Sequence, residues 1–205
     1  MTKIKLCGLS RTCDIEAANG LMPEYVGFVF VPQSKRYVSP EKASVLKRSL
    51  ADGIQAVGVF ADEAPETVAA LLNNKVIDVA QLHGSEDEAY IARLRGLTDA
   101  PVIQVFRVGD VQDILVANAS SADYVLLDSG AGTGKRFDWQ LIGQIGRPFF
   151  LAGGLDAENV SEAIHKCSPF AVDVSSGIET NGFKDQAKMA AFVAAVRTVR
   201  KEENK

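Results

Sequence analysis

The chain has 205 residues, of which 47% are hydrophobic and 23% are charged, and its formal net charge is -4. It therefore lacks the excess of positive charge that a nucleic-acid-binding surface requires, and we expect no nucleic-acid partner. The length fits one domain spanning residues 1–205, although it is short for an eightfold α/β barrel.

Targeting segments and metal-binding or disulfide patterns are not evident in the sequence. Residues 1–12 include Lys3 and Lys5 within their only apolar stretch, so they lack the apolar core of a signal peptide. No later segment approaches the roughly 18 apolar residues of a membrane span. We therefore expect a cytoplasmic protein with no membrane partner. The chain has an odd number of cysteines, and they are widely spaced: Cys7, Cys13 and Cys167. We therefore expect neither a disulfide framework nor a metal site.

Short apolar runs alternate with segments of helical periodicity along the whole chain. The predicted strands are residues 3–7, 25–31, 55–60, 76–82, 101–106, 124–127, 148–152 and 170–174. The predicted helices are residues 14–21, a segment that opens at Ser39-Pro40, and residues 65–73, 86–95, 111–118 and 137–145, then a segment after the seventh strand and residues 185–200.

The strands in this pattern have the composition of a parallel sheet. Residues 57–60 and 125–127 are continuous apolar runs, which is typical of parallel strands buried on both faces. An open doubly wound sheet is the main alternative, but it would normally have about five or six strands. Eight strand-helix units favour a (β/α)8 TIM barrel.

The last two units each place a cluster of small residues directly after the strand. These clusters are Gly153-Gly154 and Ser175-Ser176-Gly177. Either cluster alone is more typical of an ordinary tight connection than of a binding site. In (β/α)8 barrels, however, the loops after strands seven and eight frequently build a phosphate site, so together they predict one shared site for a phosphate.

Four reactive side chains fall at or just beyond the carboxyl ends of predicted strands, where barrel enzymes carry their active sites. They are Cys7, Arg36, His83 and Asp128. Each also has an ordinary structural interpretation: a buried thiol, a solvated loop arginine, a loop histidine and a turn carboxylate. Cys13 and Cys167 fall in or directly beside predicted helices and are assigned to structure alone.

The glycine-rich segment 129–136 faintly resembles a Walker A loop but fails its spacing. Only three residues separate Gly130 from Gly134, where four are needed, and Arg136 stands where a metal-binding Ser or Thr should be. Nucleotide hydrolysis is therefore disfavoured. The segment could instead be a mobile cover over the site or a surface loop.

Eight motifs in order give the chain a clear resemblance to the phosphoribosylanthranilate isomerase family. Leu6 and the pair Thr180-Asn181 depart from the usual pattern, but neither is a candidate reactive group. The motifs are KLCGL at 5–9, GFVF at 27–30 with SKRYV at 34–38, VGVF at 57–60, QLHG at 81–84, LLDS at 126–129, GTG at 132–134 with FDW at 137–139, LAGGL at 151–155 with NV at 159–160, and DVSSGIE at 173–179.

The resemblance implies an Amadori rearrangement of N-(5-phosphoribosyl)anthranilate to 1-(2-carboxyphenylamino)-1-deoxyribulose 5-phosphate, a step of tryptophan biosynthesis that needs no cofactor. It implies that Cys7 is the general base, that Asp128 is the general acid, and that Arg36 binds the anthranilate carboxylate. The only implied partner is this small phosphorylated substrate, and we expect a monomer. The remaining residues implied at the site are His83 and Asp173 as neighbours of the substrate, and Gly153, Gly154, Ser175, Ser176 and Gly177 around the phosphate.

Two other functions are compatible with the phosphate turns. Another sugar-phosphate barrel enzyme would be expected to carry an acidic residue in place of Cys7. A phosphosugar-binding protein without catalysis would be expected to lack Cys7 or Asp128. Because both residues are present, the isomerase is the favoured interpretation.

Overall fold

Eight parallel strands form a closed barrel in the order β1 to β8, in a computed structural model that describes residues 1–128 and 142–203. The predicted (β/α)8 barrel is confirmed. The strands are β1 Lys3–Cys7, β2 Tyr25–Val29, β3 Gln55–Phe60, β4 Val79–Leu82, β5 Val102–Arg107, β6 Tyr124–Asp128, β7 Phe149–Ala152 and β8 Ala171–Val174.

Helices follow the strands and surround the barrel. The predicted helix at 137–145 and the glycine-rich segment at 129–136 lie wholly or mostly outside the described residues. The described helices are α1 Thr12–Leu21, α2 Pro40–Arg48, α3 Pro65–Asn73, α4 Glu88–Arg95, α5 Val111–Ala119, α6 Val160–Cys167 and α7 Gln186–Glu203. Within the described ranges, no helix is both long and apolar enough to cross a membrane.

Local side-chain chemistry explains where several helices begin. Ser39 accepts a hydrogen bond from the backbone N–H of Lys42 at 3.3 Å, and Pro40 occupies the first helical position, as predicted. Helix α4 begins two residues later than predicted because Asp87 acts as its N-cap and accepts from the N–H of Tyr90 at 2.9 Å. Glu86 is thereby left in the loop before the helix.

Strand β4 is shorter than predicted because the end of α3 occupies its first residues. The N–H groups of Val76 and Ile77 donate back to the carbonyl of Leu71, and Lys75 has a left-handed φ of 58°. This local closure of the helix keeps Val76 and Ile77 out of the sheet; Asp78 already donates to the Ala56 carbonyl of β3 at 2.8 Å, and the strand begins at Val79. An apolar run in the sequence does not distinguish a helix end from the strand that follows it.

A short hairpin after β8 was not predicted. Ser176–Ile178 form a 3-10 turn, which leads into β9 Glu179–Thr180 and β10 Phe183–Lys184. The two residues between these strands, Asn181 and Gly182, both have positive φ, as a type I′ turn requires. Asn-Gly between two short strands is a strong hairpin signal, so this element was present in the sequence and was missed.

The barrel interior is filled by side chains from alternate strand positions. A buried apolar cluster fills the part nearer the amino ends of the strands and includes Val57, Ile103, Leu126 and Phe150. A smaller cluster of Cys7, Val29 and Val59 lies nearer the carboxyl ends. The buried polar side chains Gln81 and Asp173 line the cavity at the carboxyl ends of the strands, and Lys5 is paired with Asp173, which places the candidate chemistry at this end of the barrel.

Candidate active site

A cavity of about 650 Å³ opens at the carboxyl ends of the strands, and each of the eight strands contributes at least one residue to its wall. Nine of the ten residues predicted for the site line it. These are Cys7, Arg36, His83, Asp128, Gly153, Gly154, Asp173, Ser175 and Ser176.

Gly177, the tenth predicted residue, does not line the cavity but allows its wall to form. A Cβ atom at this position would lie 2.0 Å from the carbonyl oxygen of Leu155, in the loop after β7. The turns after β7 and β8 are thus in backbone contact, a close approach that only glycine permits. The two small-residue turns lie side by side at the cavity, as the sequence suggested.

Cys7 lies at the end of β1 beside a buried ion pair. The ammonium of Lys5 is fully buried and lies 3.0 Å from the Asp173 carboxylate across the β1–β8 pairing. Burial by itself would lower the pKa of Lys5, but the attraction of Asp173 and Cys7 outweighs it and the pKa is raised, so Lys5 stays charged. Burial raises the pKa of the Cys7 thiol, while Lys5 and Lys184 act in the opposite direction.

Arg36 is held by a carboxylate on the unpredicted hairpin. Its Nε and Nη2 atoms donate to the two oxygens of Glu179 at 2.6 and 2.9 Å, which is a bidentate pair. Lys184 donates to the same carboxylate at 2.8 Å and to the Ser175 carbonyl at 2.8 Å. Despite burial, these two cations lower the pKa of Glu179 to about 2.

The path of the Arg36 side chain depends on a glycine. Gly8 has a φ of +80°, and a Cβ atom there would lie 2.5 Å from the Cδ of Arg36. The side chain therefore passes directly over the backbone that follows Cys7. With Nε and one edge of Nη2 engaged by Glu179, the outer edge of the guanidinium, formed by Nη1 and Nη2, makes no hydrogen bond to residues 1–128 or 142–203 and has the geometry to bind a planar anion.

His83, which directly follows β4, and Asp128, at the end of β6, approach each other at the wall of the cavity. The Nε2 atom of His83 lies 3.9 Å from Oδ2 of Asp128, which is beyond hydrogen-bonding distance. Burial lowers the pKa of His83 despite the attraction of Asp128, so the ring is neutral near pH 7. Arg107, the register partner of Asp128 on β5, adds an exposed positive charge to the same wall.

Comparison with known proteins identifies the family of this barrel. The family model described as N-(5'phosphoribosyl)anthranilate (PRA) isomerase matches residues 4–195. A curated relative named N-(5'-phosphoribosyl)anthranilate isomerase, from Endomicrobium trichonymphae, is 42% identical over 204 residues, covering 97% of this chain and 100% of the relative. The chain belongs to the N-(5'-phosphoribosyl)anthranilate isomerase family.

Solved structures of the isomerase family agree with this assignment. The phosphoribosylanthranilate isomerase of Thermotoga maritima is 35% identical and superposes with a TM-score of 0.88 over 97% of this chain and all of that chain. A second similar structure, with a TM-score of 0.86, 34% identity and the same coverage, is that of a phosphoribosylanthranilate isomerase in complex with reduced 1-(o-carboxyphenylamino)-1-deoxyribulose 5-phosphate. The predicted family, isomerase activity and role in tryptophan biosynthesis are confirmed.

Several polar residues at this isomerase-family site were missed by the sequence analysis. They carried a usable signal, because a strand residue two positions before an inward-facing residue also faces inward. Lys5 precedes Cys7 and Gln81 precedes His83 by this spacing. Two further residues, Glu179 and Lys184, could not be found this way, since a hairpin outside the barrel brings them to the site.

Proposed function

We propose that this chain catalyses the Amadori rearrangement of N-(5-phosphoribosyl)anthranilate to 1-(2-carboxyphenylamino)-1-deoxyribulose 5-phosphate. The observation that carries the proposal is that Cys7 from β1 and Asp128 from β6 line one cavity together with the small-residue turns after β7 and β8. The bound analogue in the similar family structure supports the same substrate class.

The phosphate is proposed to bind at the paired turns. Gly153 and Gly154 have φ angles of 99° and 63°, which turn the backbone sharply at the end of β7. Ser175 and Ser176 face the same cavity from the end of β8. Backbone N–H groups and hydroxyls at this place in a (β/α)8 barrel are suited to phosphate oxygens. Gly177 contributes by permitting the contact between the turns.

The anthranilate carboxylate is proposed to bind Arg36. Glu179 holds one edge of the guanidinium, so the other edge is presented in a fixed orientation. A planar carboxylate can then bond to two N–H groups at once. Lys184 shares the charge of Glu179, which leaves the local cluster with a net positive charge for an anionic substrate.

The chemistry requires one acid and one base. Asp128, in its protonated form, would donate a proton to the ribose ring oxygen, so that the ring opens to a Schiff base. Cys7, as a thiolate, would remove the proton from C2; the electron pair of that bond forms the C1–C2 double bond of an enolamine, and the electrons of the C1–N double bond return to the nitrogen. Protonation at C1 and loss of the O2 proton then give the ketone. Electrons move only within the substrate, so we expect neither a metal nor a cofactor.

The surrounding charges support these roles. Burial, with the charge of Asp173, raises the pKa of the Cys7 thiol, and the ammonium groups of Lys5 and Lys184 oppose this rise and would lie beside a thiolate. Asp173 keeps Lys5 in place. His83, neutral and beside Asp128, can accept or donate one hydrogen bond at the substrate. A cytoplasmic location and a monomeric state remain predictions.

The decisive experiment is to incubate the purified protein with freshly made phosphoribosylanthranilate and to follow the loss of its fluorescence. The wild type should convert it, and Asp128→Asn should fail at ring opening while still processing an analogue held in the open Schiff-base form. Absence of conversion by the folded wild type would refute the proposal. Equal rates for Asp128→Asn and wild type on the closed substrate would remove Asp128 from the acid role.

A further inference from the structure

Two buried glutamines on neighbouring strands differ in how their amide groups are satisfied. Gln104 on β5 is 7% exposed and faces the helices; its Nε2 donates to the Glu86 carbonyl at 2.8 Å and its Oε1 accepts from the Ser120 hydroxyl at 2.6 Å. Gln81 on β4 is 2% exposed and lines the cavity. Its Oε1 has no hydrogen-bond partner among residues 1–128 and 142–203.

The neighbours of Gln81 explain why its amide oxygen has no partner among the described residues. Across the sheet it is in register with Val59 on β3 and Ile103 on β5, and neither side chain offers a polar atom. A buried amide without a partner costs free energy, so such groups are rare in folded proteins. Methionine or leucine could fill the same space without that cost. The amide is therefore best explained by a partner that arrives in the cavity.

The chemistry of the amide restricts what that partner is. A carboxamide has one acceptor oxygen and two donor hydrogens, and its two ends can exchange by rotation. It matches a neutral hydroxyl group, which also both donates and accepts. The anionic groups of the proposed substrate already have cationic or backbone partners elsewhere, at Arg36 and at the turns after β7 and β8.

We propose that Gln81 binds a hydroxyl group of the substrate's sugar and so determines specificity for the hydroxylated chain. This inference rests on the proposed function, in which the phosphate lies at β7 and β8 and the anthranilate carboxylate lies at Arg36. The sugar then crosses the barrel mouth between Cys7 and Asp128, and β4 faces it from the wall opposite β8.

The test compares Gln81→Met with the matched change Gln104→Met. Without ligand, Gln81→Met should unfold at the same temperature as wild type or higher, because it removes an unpaired amide. Gln104→Met should unfold at a lower temperature, because it leaves the Glu86 carbonyl and Ser120 hydroxyl without their partner. Destabilisation of Gln81→Met as large as that of Gln104→Met would overturn the proposal.

Binding of the reduced product analogue then identifies the contact. By calorimetry, Gln81→Met should bind it about tenfold more weakly than wild type, while Gln104→Met binds as wild type does. The test then uses the 2-, 3- and 4-deoxy forms of the analogue. One of them should bind wild type about tenfold more weakly than the full analogue does, but should bind Gln81→Met as well as the full analogue binds that variant. Equal further losses for all three deoxy forms in both proteins would overturn the direct contact and favour a bridging water.

The turnover assay separates this inference from the function on which it rests. If wild type converts phosphoribosylanthranilate but no deoxy form shows coupling to Gln81, only the hydroxyl contact is refuted. If coupling is present but wild type converts nothing, the proposed reaction is refuted, and Gln81 remains a sugar-binding residue of a different enzyme or binding protein.

Discussion

The two ends of the barrel interior are built on opposite principles. Near the amino ends of the strands, Tyr25, Tyr124, Phe150 and Phe170 form an aromatic layer, with ring centroids 5.0 to 5.8 Å apart. Most of these pairs meet edge to face, which is a favourable arrangement for aromatic rings. This layer contains no ion pair between its members and contributes mainly apolar burial.

The carboxyl end contains buried charge and an unpaired amide instead. Lys5 and Asp173 form an ion pair that is almost inaccessible to water, and the amide oxygen of Gln81 is buried without a partner in the part of the chain that the structure describes. Buried ion pairs and unpaired polar groups contribute little to stability and can reduce it. The aromatic layer therefore contributes to stability through apolar burial, whereas the mouth of the barrel is arranged for a ligand and contributes less.

The largest effect is expected at Cys7. Cys7→Ala should lower kcat by about 10² to 10⁴, because it removes the proposed base, while the unfolding temperature changes little. In deuterated water the variant should accumulate little or no deuterium at C2 of recovered substrate. The control is Cys13→Ala, which removes an exposed thiol on α1 and should leave kcat unchanged. Near wild-type turnover by Cys7→Ala would make Cys7 a structural buried thiol.

In the aromatic layer, by contrast, we expect a substitution to reduce stability and leave kcat nearly unchanged. Phe150 is fully buried and contacts three other rings, so Phe150→Ala should lower the free energy of unfolding by about 3–5 kcal/mol. Denaturant titration measures this loss. The molecules that remain folded should keep a near-normal kcat. Phe183→Ala, which removes an exposed ring on the hairpin, should cost much less. A selective loss of kcat in Phe150→Ala would break the distinction between the two ends.

A smaller effect on binding is expected at Arg36. Arg36→Met should raise KM by about tenfold or more with little change in kcat, because the carboxylate contact exists before and during the reaction. Glu179 keeps Lys184 as a partner in this variant, so the hairpin should stay folded. Lys35→Met is the matched control, since Lys35 is exposed and lies 3.5 Å from Glu179. A fall in kcat with unchanged KM would contradict the carboxylate-binding role.

The smallest effect is expected in the contribution of Glu179 to the stability of the protein at low pH. Its folded-state pKa of about 2 lies below the ordinary value of 4.5, so its contribution to stability is complete above pH 4.5 and is lost as the pH falls towards 2. Glu179→Gln should therefore flatten the decline of the unfolding temperature between pH 4.5 and 2. Glu66→Gln, at an exposed pair with Arg93, should change that slope less. Identical slopes for wild type and Glu179→Gln would show that the carboxylate is not stabilised by its neighbours.

Periodicity predicted most of the fold, and it failed where two local structures compete for the same residues. Strands β1 and β3 and helix α3 have the predicted bounds because each is delimited by glycine, proline or a polar turn. The predicted start of β4 was wrong because the left-handed turn at Lys75 folds Val76 and Ile77 back onto the end of α3. The hairpin at Glu179–Lys184 was missed, although Asn181-Gly182 indicates it.

The sequence by itself determined the repeating strand-helix order, the small-residue turns and the position of Cys7 and Asp128 at strand ends, because these depend on near neighbours in the chain. Only the tertiary structure decided which side chains meet. Closure of the barrel brings Lys5 to Asp173, 168 residues away. The hairpin brings Glu179 to Arg36, 143 residues away. Such pairings depend on strand register and barrel closure, which no local pattern encodes, and they set the charge and orientation of the groups proposed to bind and convert the substrate.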